Sequence, residues 1–146
     1  RAADDHALLR QTDESGHAEP MLLTPETLVE LRRRFVNFYD GVVASVELQL
    51  RATPRRCEVT VHCQDLEAKD GWSAIRFTIT GVDEFRFELG RFTFEVLSFG
   101  IQFVWKEKLI YLVLAPAADE VPELPDLTKN IGYVAGTSCE YEILPL

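Results

Sequence analysis

From residue 46 to residue 143 the chain is dominated by runs in which every second residue is apolar, and this period of two narrows the available folds more than any other feature. Alternate side chains of an extended strand point to opposite faces, so a chain written this way must build sheets with one face turned inward. Val46, Leu48 and Leu50 alternate with Glu47, Gln49 and Arg51; Cys57, Val59, Val61 and Cys63 alternate with Glu58, Thr60, His62 and Gln64. The connection Ala52-Thr53-Pro54-Arg55 predicts an antiparallel hairpin whose polar face meets water. A second turn, Glu67-Ala68-Lys69-Asp70-Gly71, leads into Trp72 with Ile75, Phe77 and Ile79 inward, and Gly81 predicts a bend or bulge. Phe85, Phe87 and Leu89 continue the alternation. After Gly90 it resumes with Phe92, Phe94 and Val96, and after Ser98-Phe99-Gly100 with Ile101, Phe103 and Trp105.

Two stretches depart from the simple pattern. Residues 109–114 are apolar without alternation, which predicts a central strand covered on both sides by the helix, a second sheet layer or a partner subunit. Pro116, Pro122 and Pro125 among Asp119, Glu120, Glu123 and Asp126 predict an acidic surface loop. Alternation returns with Ile131, Tyr133, Ala135, Thr137, Cys139, Tyr141 and Ile143, read as a closing strand or hairpin with bulges or close backbone approach at Gly132 and Gly136.

One segment has helical spacing instead. Thr24 suits an N-cap, Pro25 the first helical position and Glu26 the positive end of the helix dipole. Leu28, Leu31, Phe35 and Phe38 then form one buried stripe, predicting a helix over 25–38 ended by Asp40-Gly41. The sum is an α+β domain over 21–146: mostly antiparallel strands, about eight or nine, in a sandwich or partly open barrel with one N-terminal helix. Residues 1–20 are polar and weakly periodic, so a mobile segment is expected; they do not read as a signal peptide, and Met21, the only methionine, is a candidate start.

The 146 residues suit one core. A net charge of −9 disfavours nucleic acid and anionic membrane as partners and suits an acidic face that meets a basic protein. No apolar run reaches the roughly 18 residues of a membrane span. Three cysteines, an odd and sparse set, fit a reducing compartment, and a cytoplasmic location is expected. Cys57 and Cys63, on one strand, stand roughly 20 Å apart, too far to pair. Only Cys139 is left within reach of either, and buried thiols are expected.

The residues that carry chemistry do not assemble into a recognisable site. His62 and Cys63 are adjacent and therefore on opposite strand faces, and no CxxC, HxH or HExxH occurs, so neither metal nor cofactor is expected. No serine sits in a nucleophile elbow, and there is no phosphate-binding glycine loop. Arg32, Arg33 and Arg34 read as a solvated helix face. Glu140 and Glu142 share the outward face of the last strand, where they suit a charged binding surface. The aromatics Phe77, Phe85, Phe87, Phe92, Phe94, Phe103 and Trp105 share inward phases and are expected in the core, where a closed barrel would leave a ligand cavity at one mouth.

The order of motifs resembles a diffuse group of small uncharacterised bacterial proteins, some of them similar to toxin-neutralising immunity proteins. The matching pieces are Phe38-Tyr39-Asp40-Gly41 leading into 43–50, the segment 72–82 ending in Thr80-Gly81-Val82, the strand pairs up to Pro116, and the closing strand 134–143. The resemblance covers most of 38–143 and implies no catalytic residue.

Three functions are therefore expected in order. The first is a non-enzymatic module binding a basic partner protein, in the form of an immunity-like inhibitor, through the acidic loop residues Asp65, Glu67, Asp70, Asp119, Glu120, Glu123 and Asp126. The second is a small-molecule-binding barrel or an enzyme. The third is a structural subunit of a homo-oligomer, motivated by the doubly apolar run 109–114.

Overall fold

A computed structural model describes residues 19–88, 95–114 and 132–146. The expectations for residues 1–18, for Leu89, Phe92 and Phe94, and for the acidic Pro-rich loop lie outside the described residues.

The described residues form an α+β sandwich of two antiparallel sheets and one α-helix, with no closed barrel. In chain order the elements are β1 (Met21–Leu22), α1 (Pro25–Arg34), a short 3-10 turn (Val36–Phe38), β2 (Gly41–Gln49), β3 (Arg56–Gln64), β4 (Trp72–Thr80), β5 (Glu84–Phe87), β6 (Val96–Leu97), β7 (Gln102–Lys106), β8 (Leu109–Val113), β9 (Gly132–Gly136) and β10 (Ser138–Leu144). The larger sheet runs β1-β10-β4-β3-β2-β6 and the smaller β5-β9-β8-β7. Period two does its expected work on the inner face of the larger sheet. Cys57, Val59, Val61 and Cys63 of β3, Ile75, Phe77 and Ile79 of β4, and Cys139 and Tyr141 of β10 are all buried in one cluster. From the smaller sheet, Phe103, Ile110, Leu112 and Val134 meet them.

Helix α1 begins as its residues dictate. Thr24 Oγ1 accepts a hydrogen bond from Thr27 N at 3.2 Å, and Thr27 Oγ1 accepts one from Thr24 N at 2.8 Å, so two otherwise unpaired donors are satisfied reciprocally. It ends four residues before the predicted 38. The carbonyl of Arg34 accepts from Leu66 N at 3.0 Å, a tertiary bond that takes the acceptor the amide of Phe38 would need to continue the helix. Phe38 N instead donates to Phe35 O at 2.9 Å, and Val36, Asn37 and Phe38 take left-handed backbone with φ of 52°, 56° and 60°. Such geometry costs about 1–2 kcal/mol per residue, most of all for a β-branched valine. Burial of Phe38 among Phe35, Phe77 and Phe103 opposes that cost, at about 1.5–3 kcal/mol for a side chain of this size. The stripe of Leu28, Leu31, Phe35 and Phe38 is thus wholly buried, though its last member is reached through a turn of the opposite hand.

The closing segment is neither one strand nor a hairpin. β9 belongs to the smaller sheet and β10 to the larger, with Thr137 between them. β4 and β5 make the same change of sheet across Gly81, and the two segments stay paired throughout, β10 with β4 and β9 with β5. At this corner the chains press together: a Cβ on Gly136 would lie 2.5 Å from Ile79 Cγ2 and 2.7 Å from Thr80 O, so only glycine fits.

β8 is central in its sheet, as its apolar run predicted. Ile110 and Leu112 face the main core, while Tyr111 and Val113 are buried on the other face with Val104 and Ala135. Both faces are buried within the single chain, so the run does not call for a partner subunit. The aromatic expectation needs correcting in two places: Phe85 and Trp105 are exposed. Of the expected rings, Phe77 and Phe103 are buried and Phe87 packs half-buried against the core; Phe77 and Phe103 lie with centroids 5.1 Å apart, and both meet the ring of Phe38.

Candidate interaction surface

Asp65 was expected on an exposed acidic loop, and the structure places it otherwise. It follows the end of β3 with only 1% of its surface exposed. Its carboxylate accepts from Arg34 Nε at 2.8 Å and Arg34 Nη2 at 2.9 Å, from Ser73 Oγ at 2.6 Å and from Glu67 N at 2.9 Å. Burial alone would push the Asp65 pKa up, but the hydrogen bonds from Arg34, Ser73 and the Glu67 amide outweigh it and hold the carboxyl below the ordinary range. Burial likewise opposes the charge of Arg34, and the bonded Asp65 with Glu67 nearby reverses the sign and raises its pKa. Arg34 is therefore not part of a solvated basic face: it ties the end of α1 to the β3–β4 connection. With every oxygen of Asp65 taken, this group holds the fold and has nothing left for a partner.

The other candidates divide. Glu67 is exposed and has an oxygen 3.0 Å from Arg34 Nε, and Asp70 is exposed on the same turn. Asp119, Glu120, Glu123 and Asp126 lie outside the described residues.

Cys57, Cys63 and Cys139 are free, buried thiols. Burial, aided by Glu58 for Cys57 and by Asp65 for Cys63, pushes those two up to about 12, and burial raises Cys139 as well. Cys139 and Cys57 both sit opposite Ile79, on the two sides of β4. Their separation of two strands is about 10 Å, so the pairing left open for Cys139 does not exist. No three His, Cys, Asp or Glu side chains are placed to hold a metal among the described residues. Within the same residues no helix is long and apolar enough to cross a membrane.

The outer face of the larger sheet is a different matter. Strand register sets its side chains in transverse rows. Glu47 of β2 lies directly opposite Glu58 of β3, Glu58 opposite Thr78 of β4, and Thr78 opposite Glu140 of β10. One row thus carries three carboxylates and no cation. Glu47 and Glu140 are exposed and Glu58 half-buried. Like charges directly opposite across a strand pair are destabilising, so the Glu47–Glu58 pair works against the sheet that displays it. The flanking rows supply Arg56 on one side and Arg76 on the other, and Arg76 is bonded to Glu142, its neighbour on β10, at 3.1 Å.

Glu140 and Glu142 were legible as outward residues of a charged surface. Glu47 and Glu58 were missed, although their outward phase was plain. Their meeting depends on the register of the hairpin across residues 50–55, and on a bulge between Val43 and Ser45. No protein-family model matches this chain, and comparison with curated proteins and with solved structures finds no similar protein.

Proposed function

We propose that this chain is a non-enzymatic interaction module that binds a basic partner protein through the open face of its larger sheet. The supporting observation is the row Glu47, Glu58 and Glu140, three carboxylates presented together by a chain of net charge −9. Bringing lysine or arginine against that row would relieve a repulsion the fold otherwise carries, and the acidic field would speed encounter with a basic surface. Glu67 and Asp70 extend the acidic character to the β3–β4 turn. The resemblance in motif order suggests the specific form, an immunity-like inhibitor that covers the basic working surface of a toxin in the reducing cytoplasm.

Affinity capture from native cells, read by mass spectrometry, tests this with tagged wild-type protein and a Glu47→Lys/Glu58→Lys variant. The expected result is one basic protein in near-equal amount with the wild-type bait, lost in the variant and in high salt. Capture of the bait alone, or a partner retained equally by the charge-reversed variant, overturns the proposal.

A further inference from the structure

The acidic row is not the whole of the open face. Two rows nearer the start of β4, Val42 of β2 lies between Val96 of β6 and His62 of β3, followed by Ala74 of β4 and Leu144 of β10. Val42 and Val96 are 43% and 57% exposed. At the same corner stand Tyr39 at 46% and Phe99 at 55%. They are brought there by backbone contacts: Asp40 N donates to Leu97 O at 2.9 Å and Gly100 N to Leu97 O at 3.0 Å. Gly100 lies so close that a Cβ on it would collide with Asn37 O and come within 3.6 Å of the Tyr39 ring. Four large exposed side chains from two chain segments are therefore brought to one corner by its backbone contacts. The rim of this patch is acidic. Asp40 and Glu95 are exposed, and Glu95 O accepts from Val43 N at 2.8 Å, next to Val42.

We infer that this corner is the apolar anchor site of the docking face, taking an apolar side chain that a basic protein presents beside its lysines or arginines. The inference rests on the reading of the open face as a site for a basic partner. His62 and Glu58 are four residues apart on β3, so the acidic row runs about 13 Å from the Val42–His62 row. An apolar centre with a charged border is the anatomy of a protein interface, in which a few large side chains at the centre carry most of the affinity. The bonds to Leu97 O and the close approach of Gly100 to Asn37 O set the two segments side by side, so the backbone that carries these side chains does not have to be brought together on binding. A second copy of the chain is a poor occupant, since it would set Asp40, Glu95 and the glutamate row against like charges.

Three synthetic peptides of equal length test the inference, one of lysine and leucine, one of lysine and serine, one of glutamate and leucine. Binding is read by calorimetry and by amide NMR shifts. The lysine–leucine peptide is expected to bind at least about tenfold tighter than the lysine–serine peptide, with shifts at Tyr39, Val42, Val96 and Phe99. In Val96→Ser and Phe99→Ser, with folding checked by their NMR spectra, that advantage disappears while lysine–serine binding is unchanged. Equal binding of the two basic peptides, or an advantage that survives both variants, overturns the anchor site and leaves the charge reading intact. Equal binding of the lysine–leucine and glutamate–leucine peptides overturns the assignment to a basic partner and leaves the patch. A dimer by light scattering that Val96→Ser dissolves assigns the patch to a second copy and likewise overturns the inference.

Discussion

Asp65 and Glu58 are both carboxylates within a few residues of one another on or beside the same strand, and the fold treats them in opposite ways. Asp65 is enclosed, with Arg34, Ser73 and a backbone amide on its two oxygens. Glu58 faces outward opposite another glutamate, in a row without a cation. The first is placed to hold α1 on the sheet; the second adds strain that nothing inside the fold requires. Acidity along a sequence thus says little by itself about availability, which is decided by the face a strand presents and by what its neighbours bring.

The comparison breaks most easily at Asp65. Asp65→Ala leaves the Arg34 guanidinium without its buried counter-charge and is expected to cost about 3–5 kcal/mol in denaturant unfolding. Arg34→Met/Asp65→Leu is expected to recover much of that loss, since neither charge then remains stranded. The same carboxylate sets an acid dependence. Its folded pKa is depressed, so its contribution is present above the unfolded value near about 4 and is lost as pH falls through the lower folded pKa. Wild-type stability should therefore fall more steeply below about pH 4 than that of Asp65→Asn. Ser73→Ala, which removes one bond to this charged group, should cost about 1.5–3 kcal/mol. On the open face the sign reverses: Glu58→Gln is expected to stabilise by about 0.5 kcal/mol, with the gain shrinking as salt is added. A loss of stability there would mean that Glu58 has an internal role and would remove the contrast with Asp65. Smallest is Glu142→Gln, which breaks the Arg76 pair on the same face; about 0.3 kcal/mol is expected, as for other partly exposed pairs.

Much of the architecture was legible because period two and turn chemistry are local properties. The hairpin of β2 and β3, the inward residues of β4 and the helix start at Thr24 follow from residues within a few positions of each other. What escaped was set by contacts across the chain. The helix stops at Arg34 because Leu66 takes its carbonyl, and no residue near 34 announces that. The change of sheet at Thr137 follows from Gly136 pressing on Ile79 and Thr80, whereas the alternation of 131–143 reads straight through it. For the surface, phase was readable for Glu140 and Glu142, but the row that joins Glu140 to Glu47 and Glu58 exists only once three strand pairs are in register. Asp65 was misplaced because a turn aspartate ordinarily caps local amides, and this one also receives an arginine 31 residues away.

The position of β10 bears on how the molecule is put together as it is made. Among the described residues, β10 lies between β1 and β4, strands that precede it in the sequence by more than 55 positions. Until it emerges, β4 offers a bare edge along Ala74–Thr80 and β1 has no strand to join. Completion of the larger sheet must therefore wait until residues 138–144 have emerged, and over that interval the exposed edge of β4 is the site most open to pairing with a neighbouring chain.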